Sequence, residues 1–79
     1  MAHNQAQVKI EGHPFTLRWW VSGRSLWIEA WHRKAGIGVQ LELSAQALVY
    51  TTPISAVTQD LKDRQVLAWL DLRAAQARA

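Results

Sequence analysis

The chain lacks several features that would assign it to a familiar class. It has no cysteine among its 79 residues, which excludes disulfides and thiolate metal sites. Its longest segment without a formal charge, residues 43–59, contains Pro53 and many hydroxyl and amide side chains, so it is not a membrane span. The first seven residues lack the basic and apolar regions of a secretory signal, and we therefore expect a cytoplasmic location.

The composition is that of one small folded domain. Hydrophobic residues make up 49% and charged residues 19% of the chain. We expect residues 1–6 to form a flexible tail and residues 7–79 a single domain. A domain of this size buries only about 60% of its unfolded surface, so oligomerisation is the expected additional stabilisation.

The first half of the chain alternates with the period of a β-strand. Alternating segments around residues 7–11, 15–21, 26–33 and 39–43 are separated by turn residues such as those at 22–25 and 34–38. The pattern predicts an antiparallel meander of three or four strands. Its predicted apolar face consists of Phe15, Leu17, Trp19, Val21, Leu26, Ile28, Val39, Leu41 and Leu43.

The second half predicts a helix. Thr52 followed by Pro53 is a typical helix start, and residues 54–76 contain neither glycine nor proline. A break near residues 62–64 is compatible with the pattern, and residues 47–52 fit either a helical turn or an added strand. The fold class is therefore α+β, a β-meander followed by a C-terminal α-helix on one sheet face. The predicted docking stripe of that helix is Val57, Leu61, Ala68, Leu72 and Ala75.

Four apolar residues lie outside this stripe: Val66, Leu67, Trp69 and Leu70. A helix that is apolar on most sides is buried on most sides. Either the segment bends and packs both ways within one chain, or a second subunit covers it. We favour the second alternative, which makes these four residues a self-association site and the protein a homodimer.

Tryptophan is over-represented, with five against one tyrosine and one phenylalanine. Alternation places three of the five on the polar side of the sheet, beside two arginines. This predicted Trp/Arg face consists of Arg18, Trp20, Trp27, Trp31 and Arg33. Tryptophan and arginine are enriched at binding hot spots, so the pattern favours a contact surface. The alternative is that residues 47–52 or the C-terminal tail cover this face.

Signals for catalysis and for ligands are weak. The three histidines show no metal-ligand spacing, and alternation makes His32 a histidine at the edge of the core with a hydrogen-bond partner. Gly36 and Gly38 precede a strand rather than a helix, so they belong to a turn and not to a phosphate loop. We therefore expect no enzyme, no cofactor and no metal.

The sequence favours a small non-enzymatic interaction module of an accessory, regulatory or inhibitor type, which binds a protein partner through the Trp/Arg face. The alternative is a nucleic-acid-binding module that uses the same face, since the pI is about 10.0 and bases stack on aromatic side chains beside arginine. Against nucleic acid, positive charge is spread over the chain and Glu29 lies within the face. No membrane partner is expected.

Overall fold

The computed structural model describes residues 4–78 and confirms the α+β class. Its elements are β1 (Asn4–Ile10), β2 (His13–Ser22), β3 (Ser25–His32), β4 (Gly38–Ser44), a 3₁₀ turn (Ala47–Val49), α1 (Pro53–Asp63) and α2 (Val66–Arg78). The strands form one antiparallel sheet in the order β1-β2-β3-β4. The sheet therefore has four strands, and the predicted single helix is a helix pair.

Two tight turns fix the register of the first three strands. Glu11 and Gly12 both have positive φ, 50° and 83°, as a type I′ turn requires. Gly23 has a φ of 62° ahead of Arg24, which fits a type II′ turn. The resulting register places Ile10 opposite His13 and Ser22 opposite Ser25, so each face of the sheet keeps its predicted alternation.

The first strand begins earlier than the sequence predicts. Residues 4–6 were expected to belong to a flexible tail, but they pair with residues 17–19 of β2. The rest of the expected tail, residues 1–3, lies outside the described residues. The pairing gives β1 seven residues, enough to make it a complete edge strand of the sheet.

The hydrophobic core lies between one face of the sheet and the helix pair. Its buried members are Ile10, Phe15, Leu17, Leu26, Ile28, Ala30, Val57, Leu61, Leu67 and Leu70. The predicted apolar face is thus the core face, with one exception. Val21, next to the last residue of β2, is 64% exposed. Trp19 and the apolar residues of β4 are half-buried around the core.

The start of α1 agrees with the sequence. The side chain of Thr52 accepts a hydrogen bond from the Ser55 amide, and Pro53 occupies the first turn. Upstream, the Ala47 amide donates to the Ser44 hydroxyl at 3.3 Å, and a 3₁₀ turn follows. The open choice for residues 47–52 is therefore resolved as a short helical turn without an added strand.

The helix breaks after Asp63, and this break corrects the predicted stripe. Gln65 adopts a left-handed φ of 60°, and its amide donates to the Lys62 carbonyl at 3.0 Å. The break resets the helical phase. Val57 and Leu61 are buried as predicted, whereas Ala68, Leu72 and Ala75 are exposed. Leu67 and Leu70 replace them in the core.

The left-handed conformation of Gln65 leads to a prediction about the free energy of unfolding. Gln65→Gly is expected to raise the free energy of unfolding by about 0.5–1 kcal/mol, because glycine adopts positive φ without a Cβ clash. Urea denaturation followed by far-ultraviolet circular dichroism measures the change. Gln65→Ala is the control, since it removes the side chain and leaves the backbone cost. A glycine variant less stable than the alanine variant contradicts the assignment.

Candidate functional site

The register of the sheet brings the predicted Trp/Arg face together. Trp20 on β2 lies directly opposite Trp27 on β3. Arg18 lies opposite Glu29 in the next row on this face, and Trp31 lies opposite Thr16 in the row after that. Arg33 follows the end of β3 and reaches back over the same face, since its guanidinium donates to the Gln7 side chain at 2.7 Å.

The helix pair lies on the opposite side of the sheet from these residues. All buried strand residues are on the core face, where they join α1 and α2 in one cluster. On the Trp/Arg face, Trp31 is 50% exposed, and Trp20 and Trp27 are half-buried among their neighbours. The segment of residues 47–52 leaves its own Val49 and Tyr50 exposed. Ala74 and Ala77, near the C-terminus, line a groove with His13 on the helix side.

Charges on this face are mixed and partly paired. The Arg18 guanidinium lies 3.7 Å from the Glu29 carboxylate, with both side chains nearly half exposed. Ser25 donates a hydrogen bond to the Glu42 carboxylate at the other end of the face. Such exposed pairs contribute little to stability, about 0–1 kcal/mol. Their effect is to distribute both signs of charge around the indoles.

Trp31 is held by a glycine on the neighbouring strand. Gly38 lies opposite Trp31, and a Cβ on Gly38 would be 2.6 Å from the Cε3 atom of the Trp31 ring. The indole therefore packs against bare backbone, the arrangement in which an aromatic residue covers a glycine across a strand pair. Gly38 thus sets the orientation of the most exposed tryptophan on the face.

The predicted self-association site needs correction. Leu67 and Leu70 are buried in the chain's own core, because the break at Gln65 turns them toward the sheet. Val66 packs against that core and is half-buried. Only Trp69 is substantially exposed, at 41%, with the Arg73 guanidinium 4.8 Å from its ring centroid. The alternative in which the segment bends and packs within one chain therefore accounts for Leu67 and Leu70.

A histidine pair, which sequence reasoning did not assemble, joins three parts of the fold. The Nε2 atom of His32 lies 3.4 Å from the Nδ1 atom of His13, and the Nε2 atom of His13 lies 2.7 Å from the Asp71 carboxylate. The Nδ1 atom of His32 accepts hydrogen bonds from the Lys34 and Ala35 amides at 3.2 and 2.9 Å. The pair therefore connects the β1–β2 turn, the β3–β4 loop and α2.

The loop amides determine where the ring protons are. Because Nδ1 of His32 is an acceptor, neutral His32 carries its proton on Nε2 and donates it to His13. His13 then carries its own proton on Nε2 and donates it to Asp71. All four ring nitrogens thereby have a hydrogen-bond partner. We interpret these hydrogen bonds as structural, because they connect α2 and the β3–β4 loop to the start of β2.

His32 is only 5% exposed, and its environment disfavours the charged ring. Burial lowers the pKa of His32 below the ordinary histidine value, and electrostatic interactions with His13, Lys34 and Arg33 lower it further. The sequence interpretation of His32 as a hydrogen-bonded histidine at the edge of the core agrees with this geometry. His13 and Asp71 gave no sequence signal, because 58 positions separate them.

Among residues 4–78, no group of three or more histidine or acidic side chains is arranged to hold a metal ion. None of the helices within that range is both long enough and apolar enough to cross a membrane. Comparison with protein families, curated proteins and solved structures gave no match, so interpretation of the site depends on its geometry.

The contact between Trp31 and Gly38 leads to a local prediction. Gly38→Ala is expected to displace the Trp31 indole, because the new methyl group would overlap the ring. The displacement appears as a shift of the Trp31 indole N–H signal in a nitrogen–proton correlation spectrum, assigned with Trp31→Phe. Gln40→Ala, on the same strand and face, is the control. An unmoved Trp31 signal in Gly38→Ala contradicts the packing.

His32 leads to a pH prediction. A histidine whose pKa is lower in the folded state stabilises the fold at high pH, and the contribution is lost as the pH falls below about 6.5. His32→Phe removes the titrating ring and is expected to flatten the decline in unfolding free energy over that range. Urea denaturation at several pH values between about 5 and about 8 measures it. His13→Gln, which keeps His32, is the comparison, and an unchanged slope in His32→Phe contradicts the prediction.

Proposed function

We propose that the chain is a non-enzymatic protein-interaction module that binds a protein partner through the Trp/Arg face. One observation carries the proposal: three indoles share a sheet face opposite the helix pair, and Trp31 is half exposed on it. Clustered exposed aromatic side chains are unfavourable in a protein that keeps them in water. A partner that covers this face would remove that cost.

The residue types favour a protein surface as the ligand. Tryptophan and arginine dominate the hot spots of protein interfaces, where one well-buried side chain contributes about 2 kcal/mol or more. The charges of Arg18 and Glu29 lie within 3.7 Å of each other, which suits a partner that presents both signs. A phosphate backbone would instead meet the carboxylates of Glu29 and Glu42 on the same face.

The test compares two tryptophans that have similar exposure and lie on opposite sides of the molecule. Trp31→Ala is expected to weaken partner binding about 30-fold, the equivalent of about 2 kcal/mol. Trp69→Ala, on α2, is expected to leave the affinity within about twofold. Proteins captured from the source cells by the wild-type chain, and not by Trp31→Ala, are purified and titrated by calorimetry.

Two outcomes contradict the proposal. One is an equal loss of affinity in Trp31→Ala and Trp69→Ala, which would remove the Trp/Arg face from the interface. The other is salt-sensitive quenching of tryptophan fluorescence by mixed-sequence single-stranded DNA or RNA, lost in Arg18→Glu with Arg33→Glu. That second result would favour the nucleic-acid alternative on the same face.

A further inference from the structure

Strand β1 is an edge strand, and the backbone groups on its outer side have no partner strand within the described sheet. It pairs with β2 on one side and with no other strand of the described sheet. In a hairpin with a two-residue turn, the flanking residues form a hydrogen-bonded pair, here Ile10 and His13. Alternation then directs the backbone groups of Gln5, Gln7 and Lys9 away from β2 and toward the open edge.

This edge has few of the features that prevent strands from pairing with another chain. Natural edge strands are protected by proline, by bulges, by charges or by a covering element. The register from Asn4 to Ile10 has no slip, the strand has no proline, and Lys9 is its single charged residue. The opposite edge differs, because the Arg64 guanidinium reaches the Gln40 carbonyl at 3.5 Å.

An apolar cavity of about 190 Å³ lies on the core face beside β1. Ala6 and Val8 form its wall on the strand side, and Trp19 and Ile54 contribute from β2 and α1. Ile54 is 51% exposed although it lines this cavity. Ile10 at one end of β1 is buried in the core, but beside Ala6 and Val8 the packing is incomplete and apolar surface remains open.

The chain is elongated and exposes more surface than a compact monomer of the same mass. The chain exposes 5494 Å² and is elongated, with extents of 47 × 25 × 15 Å. A compact monomer of 9.0 kDa exposes roughly 4,850 Å². The chain therefore exposes roughly 600 Å² more than a compact monomer of its mass.

We propose that two copies of the chain pair antiparallel through β1 to form a continuous eight-stranded sheet. The two-fold axis passes between the two Gln7 residues, since their backbone groups face the open edge. Gln5 of one copy then lies opposite Lys9 of the other, so the two Lys9 side chains do not face each other. Ala6 lies opposite Val8 of the other copy on the core face, which extends the apolar surface beside the cavity. The strand is thus complementary to itself, as a two-fold interface requires.

The proposal is independent of the partner of the Trp/Arg face, and mass measurements test it directly. Sedimentation equilibrium from about 1 µM to about 1 mM is expected to give twice the chain mass for the wild type. Gln7→Pro is expected to give the chain mass, because it removes an edge-facing N–H and leaves the β1–β2 hydrogen bonds in place. Circular dichroism verifies that the variant is folded.

Two variants of opposite charge at the same position test the register of the β1–β1 pair, and they do so even if the proline variant does not fold. Gln5→Lys places a lysine opposite Lys9 of the other copy, and Gln5→Glu places a carboxylate there. Each contact occurs twice, so the dimer dissociation constant is expected to rise for lysine and to fall for glutamate, each by roughly 2- to 30-fold. Gln5 also lies opposite Arg18 of β2, so each substitution can change the stability of a single chain. The unfolding free energy of each variant, measured at a concentration where it is monomeric, gives that intrachain effect separately.

Three results overturn the proposal. The first is a wild-type chain that stays monomeric at about 1 mM. The second is equal dissociation constants for Gln5→Lys and Gln5→Glu. The third is a dimer that persists in folded Gln7→Pro and dissociates in Trp69→Ala, since it would place the interface on α2.

Discussion

The rest of the structure depends on one-sided coverage of the sheet. After four strands the chain supplies two short helices, and both contribute their buried residues to the same core. Phe15, Leu17 and Ile28 are buried there with Val57 and Leu61, and these are the least exposed large side chains of the molecule. Within residues 4–78 the other face receives no helix, so its indoles pack only against neighbouring strand residues and remain partly in solvent.

The position of α2 follows from two local features that act together. Gln65 ends the first helix in a left-handed conformation, which turns Leu67 and Leu70 toward the sheet. The Asp71 carboxylate then reaches His13, and His13 contacts the buried His32. On the neighbouring helix, Lys62 lies 2.9 Å from Glu11. Both helices are therefore joined to residues in or beside the turn between β1 and β2.

Local signals in the sequence predicted the strands and the start of the helix. Alternation and the turn residues Gly12 and Gly23 are short-range features, and Thr52 with Pro53 is a short-range cap. The sequence is compatible with a break near residues 62–64, but it does not predict that the helical phase changes there, because glutamine carries no preference for positive φ. Without that change of phase, Leu67 and Leu70 were assigned to an intermolecular surface.

The candidate site likewise has one part that local sequence signals predict and another part that they do not. The Trp/Arg face follows from the period of two, since the register of adjacent hairpins brings alternate residues side by side. The contact between His13 and Asp71 depends on the placement of α2 and had no local signal. The contact between Trp31 and Gly38 required the register of the β3–β4 pair, which the five-residue connection between those strands does not fix as tightly as the two-residue turns do.

The two tight turns also have a consequence for the order of folding. They join strands that are adjacent in the chain, so β1–β2 and β2–β3 close short loops and pay little loop entropy. The link between His13 and Asp71 joins residues 58 positions apart and depends on two helices that follow the strands in sequence. We therefore expect the hairpins to form first and α2 to dock last. During synthesis, the sheet would emerge with both faces exposed before its helices exist.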